Sequence, residues 1–312
     1  MRLPTLNELP PPPLGKTGWP WTENIHSPYG DTKGSPLPKV TIVTPSFNQG
    51  WSIEGTIRSV LFQGYPNLEY IIMDGGSTDE TIEIIKKYER WVSYWVSEPD
   101  CGQADAIAKG FGRATGDIIA WINSDDWYLS GAFFSASNAF LVDKDLGMIY
   151  GDCKIYDRDG AFAQLMTVPE FDSDLLKFTD YIRQPASFFR RSAYEKIGGL
   201  DIRLNWCMDW DLWLRFSKLI QIRKVDYTFA AARIYKENKS LSGDQRRYAE
   251  LLHLFFKNGI YNSAVLFFIL EYLARSLRFH TRKFTLLSYW LFEKPHNVWV
   301  LISRFLKRLF AR

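Results

Sequence analysis

Cysteine is scarce. The 312 residues hold three, Cys101, Cys153 and Cys207. An odd set without paired metal-ligand spacing excludes a disulfide framework and a zinc site, and points to a reducing compartment with the thiols as small packing residues. Long apolar runs are also missing. The stretch "MRLPTLNELPPPPLGKTGWPWTEN" lacks the hydrophobic segment of a signal peptide, so secretion is not expected, and its prolines favour an extended, weakly ordered arm over residues 1–38. No run reaches the ~20 apolar residues of a membrane-spanning helix; "SAVLFFILEYLA" is interrupted by Glu271 and followed by Arg275 and Arg278. No G-x-x-x-x-G-K-[ST] loop occurs, and "GFGRATG" is a poor dinucleotide fingerprint, because its last glycine comes one position late and a strand follows it.

What is present suits a sizeable core, since 46% of the residues are hydrophobic. The net charge of +3 is unevenly spread: from Gln245 onward twelve basic residues face three acidic ones, a net +9, while the preceding residues carry 26 against 32, a net −6. After the arm, "KVTIVTPSF", "LEYIIMDGG", "VSYWVSEP" and "GDIIAWINSDD" read as strands, with helical spacing in "SIEGTIRSVLFQ", "DETIEIIKKYERW" and "GQADAIAKGFGRA" between them. Ser77 and Glu80 have capping-box spacing ahead of the second helix. The alternation predicts an α/β fold with right-handed crossovers and a mostly parallel, buried sheet. From about residue 147 to 235 the segments "GMIYGDCKIYD", "RQPASFFRRSAYEKIGGL" and "CMDWDLWLRFSKL" are expected to complete the same domain and close its cleft.

Ligands of such sheets sit at the carboxyl ends of the strands, so the turns after "TIVTP", "IIMDGG" and "IIAWINSDD" should share one cleft. Asp74, followed by glycines that let backbone approach a ligand, either accepts hydrogen bonds from a base or ribose or supports a tight turn. The Asp125–Asp126 pair either makes a turn or holds a cation; hard oxygen ligands with no histidine nearby suit Mg²⁺ or Mn²⁺. In "CMDWDLWLRF" helical spacing puts Asp209 on the apolar stripe of Leu212, Trp213, Phe216 and Leu219, as a structural acid or a general base, and puts Asp211 on a solvated face, four residues before Arg215.

Taken together, "VTIVTPSFNQGWSIEGTIRSVLFQGYPNLEYIIMDGGSTDETIEII", "WVSEPDCGQADAIAKGF", "ATGDIIAWINSDD", "FFRRSAYEKIGGLD" and "MDWDLWLR" resemble the inverting family 2 glycosyltransferases of the GT-A fold, over about Lys39 to Gly243. The resemblance implies transfer of a sugar from a nucleotide-sugar donor, UDP-linked or another nucleoside diphosphate, to a saccharide or lipid-linked acceptor, in bacterial-type cell-surface polysaccharide or glycolipid synthesis. It implies nucleotide contacts at Pro45, Phe47, Asn48, Asp74, Gly75, Gln103, Ser124 and Asp125. The family's Asp-x-Asp motif falls on Asn123 and Asp125, so the cation is expected on Asp125 with help from Asp126, and the base on Asp209, where Met208 replaces the usual preceding acid. Arg190 or Arg191 either adds positive charge or is solvated.

Other classes use related parts. Sugar nucleotidyl transfer also needs strand-end acids and a cation, but favours a glycine-rich basic loop after the first strand, and "TPSFNQG" has no base. A non-catalytic nucleotide-sugar sensor or scaffold is compatible with the fold. The expected organisation is therefore an arm over 1–38, a GT-A domain over 39–244 and a helical, basic, amphipathic extension over 245–312. That extension is expected to lie on an anionic membrane surface at the cytoplasmic face, with no role for nucleic acid.

Overall fold

The computed structural model describes residues 4–23, 37–239, 245–266 and 268–269. Of these, the residues up to Asp172 and from Asp180 to Lys236 gather into one compact unit; Ser173–Thr179 and the residues from Glu237 on gather into a second. The division falls at Lys236, ahead of the expected boundary at Gln245.

The first unit is built on a nine-stranded sheet. Strands β1 (Val40–Ser46), β2 (Leu68–Asp74), β3 (Tyr94–Ser97) and β4 (Ile118–Trp121) run parallel in the order β3-β2-β1-β4. Their connections hold helices α1 (Ile53–Leu61), α2 (Thr81–Tyr88) and α3 (Gln103–Arg113). β1 and β4 are buried along their whole length, as helices on both faces of a parallel sheet require. Gly110 lets α3 lie flat on β1: a Cβ there would stand 2.5 Å from Val43 Cγ1.

Beyond β4 the chain adds β5 (Trp127–Tyr128), α4 (Ala132–Val142), β6 (Leu146–Tyr156) and β7 (Phe162–Met166). After the short α5 (Ser173–Leu176) of the second unit come β8 (Ser187–Arg190), α6 (Arg191–Lys196), α7 (Met208–Phe216) and β9 (Gln221–Arg233). The sheet continues β4-β8-β6-β9-β5, with β8 antiparallel to both β4 and β6, β9 parallel to β6, and β7 paired to β6. This is the mixed, mostly parallel α/β architecture expected. The second unit holds α8 (Gln245–Lys257), which buries Leu251, Leu254 and Phe255. Residues 270–312, where most of the expected membrane-binding extension falls, lie outside the described residues.

Four expectations need correction. Residues 4–23 of the proline-rich arm are packed: Leu9 is buried and Trp19 lies against the core. Ser77 and Glu80 make no capping box, because Ser77 Oγ donates to Asp74 Oδ1 at 2.5 Å, while Asp79 accepts the Thr81 N–H at the start of α2. The apolar stripe of α7 stops at Phe216, and Leu219 is exposed. Cys153 and Cys207 are buried as expected, but Cys101 is exposed.

Candidate active site

The carboxyl ends of β1, β2 and β4 converge as the alternation required. Ser46 sits opposite Asp74, and Asp74 opposite Ser97. Asp74 supports the turn. Its Oδ2 accepts from Ser97 Oγ at 2.6 Å and from the N–H groups of Ser77 and Gly76 at 2.8 and 3.1 Å, and the residue is only 2% exposed. Pro45 is buried inside β1, opposite Met73. Asn48, at a φ of 51°, ties the two turns together: its N–H donates to Ser77 Oγ at 2.7 Å, and its Oδ1 accepts from Thr78 N–H at 2.9 Å. The surface these groups hold up is formed by Phe47, 59% exposed, and by Gly75. A Cβ on Gly75 would come within 2.8 Å of Asp100 Oδ2 and 3.4 Å of Phe47 Cδ2, so the glycine keeps a slot open between an aromatic ring and a carboxylate.

The loop after β4 carries the acids. Gln103, first in α3, donates its amide to Asn123 Oδ1 at 2.6 Å, while Gln184 donates to the Trp121 carbonyl at 2.8 Å and accepts from Asn123 at 3.4 Å. Ser124 is buried, its carbonyl accepting from Ser52 Oγ at 2.9 Å. The Tyr235 hydroxyl donates to Asp125 Oδ2 at 2.8 Å, and Arg233 donates from its guanidinium to the Asp125 carbonyl at 2.6 Å. Burial raises the Asp125 carboxyl above its usual value, against Tyr235 and Arg233. Asp126 is more deeply placed, and its Oδ1 accepts the Arg233 N–H at 3.0 Å. Burial, and then the charge of Asp125, push it well above the carboxylate range. Asp126 thus anchors the loop to β9.

These residues fit a divalent cation of one kind. Asp125 offers a hard oxygen whose buried charge favours a compensating cation. Among the described residues no group of three or more His, Cys, Asp or Glu gathers as a metal cage. A cation at Asp125 would therefore take most of its ligands from water and substrate phosphate, as Mg²⁺ commonly does.

Helix α7 reverses one expectation. Asp211 is fully buried, with Oδ2 accepting from Arg215 Nε at 2.8 Å, and Arg215 also donates to the Ile197 carbonyl at 3.1 Å. Asp209 is the partly exposed acid, with Oδ1 accepting the Trp210 N–H at 2.9 Å. Trp213 and Phe216 of α7 pack on Trp121 and Phe189, and Arg215 ties the helix to Ile197. The inward acid is Asp211, and Asp209 is the partly exposed one. One turn after Asp209, Trp213 stacks on Trp121 of β4 at 5.9 Å, which brings the start of α7 to the same end of the sheet as the acid loop.

Sequence reasoning missed Tyr235, Arg233 and Asp180. Asp180 lies four residues before Gln184; its Oδ1 is sealed from solvent without a partner, and the neighbouring Arg183 has its Nε in the same state. Burial and then the charge of Asp209 push the Asp180 carboxyl well up, with Arg183 opposing. Arg190 and Arg191, either adding positive charge or solvated in the sequence, bond to backbone carbonyls away from the acid loop. Arg190 donates to the carbonyls of Leu146 and Phe140, and Arg191 to that of Gly116, at the far end of β4 from the acid loop.

A mostly parallel sheet with an acid loop at the carboxyl end of β4 is the arrangement of GT-A glycosyltransferases. The glycosyl transferase family 2 pattern matches residues 41–198, half of the chain, and the chain belongs to that family. An uncharacterized glycosyltransferase of Mycobacterium tuberculosis is 28% identical over 262 residues, 80% of this chain and 98% of the relative. A PGL/p-HBAD biosynthesis glycosyltransferase of Mycobacterium bovis is 27% identical over 212 residues, 66% of this chain and 79% of the relative. In fold, the chain resembles a mannosyltransferase from Pyrobaculum calidifontis solved with GDP-Man and Mn²⁺, with a TM-score of 0.54 at 17% identity, covering 89% of each chain.

Proposed function

We propose that the protein transfers a sugar, with inversion at the anomeric carbon, from a nucleoside diphosphate sugar to a hydroxyl of a saccharide or lipid-linked acceptor in cell-surface polysaccharide or glycolipid synthesis. The observation that carries this reading is the stacking of Trp121 on Trp213, which joins the loop bearing Asp125 to the helix bearing Asp209. The slot at Gly75, with Phe47 on one side and Asp100 on the other, receives the nucleotide, on turns braced by Asp74, Asn48 and Ser77. Gln103 and Ser124 hold the acid loop in register beside it. Asp125 holds Mg²⁺ or Mn²⁺, which when bound would neutralise charge on the departing diphosphate.

Asp209 takes the proton of the acceptor hydroxyl as the oxygen bonds to the anomeric carbon and the bond from that carbon to the diphosphate oxygen breaks. General-base assistance of this kind is worth roughly 10²–10⁴-fold. The names of the relatives support glycosyl transfer in glycolipid synthesis, and the GDP-Man and Mn²⁺ complex of the structural neighbour supports a nucleotide-sugar donor with a cation. The test is release of free nucleoside diphosphate from a panel of nucleotide sugars, with lipid extract or oligosaccharide as acceptor, with and without Mn²⁺. Release from one donor class that needs both the cation and Asp209 is expected. Folded protein that releases nothing from any donor would overturn the reading.

A further inference from the structure

The part of the chain before β1 does more than cover apolar surface. Arg58, in the middle of α1, is fully buried, and its guanidinium is closed by carbonyls of the amino-terminal segment. Nη1 donates to Pro10 at 2.8 Å, Nη2 to Trp21 at 2.8 Å and Nε to Pro20 at 3.2 Å, while Nη1 also meets the Tyr88 hydroxyl at 3.1 Å. The Trp21 and Phe62 rings stand over it at 5.4 and 5.3 Å. A buried cation is tolerated when its donors are matched in this way.

Residues 4–23 are therefore fixed to α1, and α1 is fixed to the acid loop. Ser52 Oγ donates to the Ser124 carbonyl at 2.9 Å, Thr56 Oγ1 to that of Asp126 at 2.6 Å and Gln63 Nε2 to that of Leu129 at 2.9 Å. Ser59 Oγ accepts the Tyr128 N–H at 3.1 Å. The carbonyl of Tyr128 accepts from Trp19 Nε1 of the amino-terminal segment at 2.8 Å. The backbone on both sides of Asp125 is thus held from one helix and from the segment clamped to it. A carboxylate meant to hold a cation needs its backbone set to within a fraction of an ångström, and supporting bonds of this kind supply that.

We propose that residues Leu9–Trp21 form a positioning strap for the acid loop, acting through Trp19 directly and through Arg58 and α1. This rests on the reading of Asp125 as the cation ligand, but the geometry it asserts can be measured separately. Trp19→Phe keeps a ring against Phe62 and removes the N–H donated to Tyr128; Arg58→Lys cannot reach Pro10, Pro20 and Trp21 together. Leu68→Ala, at the amino end of β2, serves as a control matched for loss of thermal stability.

Hydrogen exchange of the Asp126 and Tyr128 amides is followed in each full-length variant, and UDP binding is titrated by calorimetry against Mn²⁺. Both strap variants should exchange these amides about threefold to tenfold faster, the factor that loss of one net hydrogen bond corresponds to. The Mn²⁺ concentration that half-saturates UDP binding should rise by a similar factor, with affinity at saturating Mn²⁺ preserved. The control should change neither. Unchanged exchange in Trp19→Phe and Arg58→Lys, or equal acceleration in Leu68→Ala, would overturn the strap. UDP binding by the unaltered protein that ignores Mn²⁺ would overturn the cation assignment instead, with the exchange data still deciding the strap.

Discussion

Tyr235, two residues past the end of β9, donates its hydroxyl to Asp125 Oδ2 across 110 positions of sequence. The bond fixes the carboxylate, and the charge it meets keeps the Tyr235 phenol above its ordinary value, after the larger effect of burial. Asp125→Ala should therefore abolish Mn²⁺-dependent nucleotide binding and leave the fold intact. Tyr235→Phe should weaken the Mn²⁺ dependence by roughly threefold to tenfold, the scale of one net hydrogen bond. Calorimetry with UDP and Mn²⁺ measures both, and unchanged affinity in Asp125→Ala would refute the metal assignment.

The two acids of α7 separate chemistry from stability. Asp209→Asn should keep donor binding and thermal stability while lowering turnover by about 10²-fold or more, since an amide cannot take the hydroxyl proton at neutral pH. Asp211→Asn should act on the fold: it leaves Arg215, 18% exposed, facing a neutral group inside the protein, and breaking a buried pair costs on the order of 3 kcal/mol. Urea unfolding beside turnover tells them apart. Equal losses of turnover at equal stability would contradict the assignment.

Asp180 links pH to stability. Its folded carboxyl lies above the unfolded value, so the neutral form is favoured by folding. Stability from this group is whole below the unfolded carboxylate pKa and is lost as pH rises toward the folded one. Asp180→Asn, neutral throughout, should melt higher than the unaltered protein at pH 8, with the difference shrinking toward pH 4. Melting curves across that range check it; a variant that is less stable at pH 8 would count against the burial of an unpartnered carboxyl beside Asp209.

Much of this could be read from local pattern. The continuous apolar runs of β1, β2 and β4 and the acids just after β4 declare the parallel sheet and its ligand end without any distant contact. Asp209 and Asp211 show where such reading stops. Helical spacing identifies one apolar stripe but cannot reveal that Asp211 pairs with Arg215 inside the protein. Tyr235 and Trp19 carried no signal, because they reach the acid loop only after β9 pairs with β5 and the arm folds onto α1, 110 and 109 positions away. The arm's prolines suggested disorder, and the carbonyls closing over Arg58 explain the order found.

In α8, the burial of Leu251, Leu254 and Phe255, with Phe255 stacked on Phe268 at 5.5 Å, favours ordinary packing for that helix. Among the described residues no helix is long and apolar enough to cross a membrane. Beyond residue 269 the sequence still carries nine basic residues against two acidic ones, interleaved with aromatic and aliphatic side chains as in "NVWVLISRFLKRLFAR". Each Lys or Arg near an anionic surface contributes about 1 kcal/mol, a force that salt screens within about a Debye length. We therefore expect the full-length protein to sediment with phosphatidylglycerol-containing vesicles at low salt and to be released at high salt. A truncation after residue 269, which spares α8, should stay in the supernatant while retaining nucleotide binding and part of its activity on a soluble acceptor. Full-length protein that remains in the supernatant with such vesicles at low salt would remove the membrane surface from the account and leave the basic tail without a lipid partner.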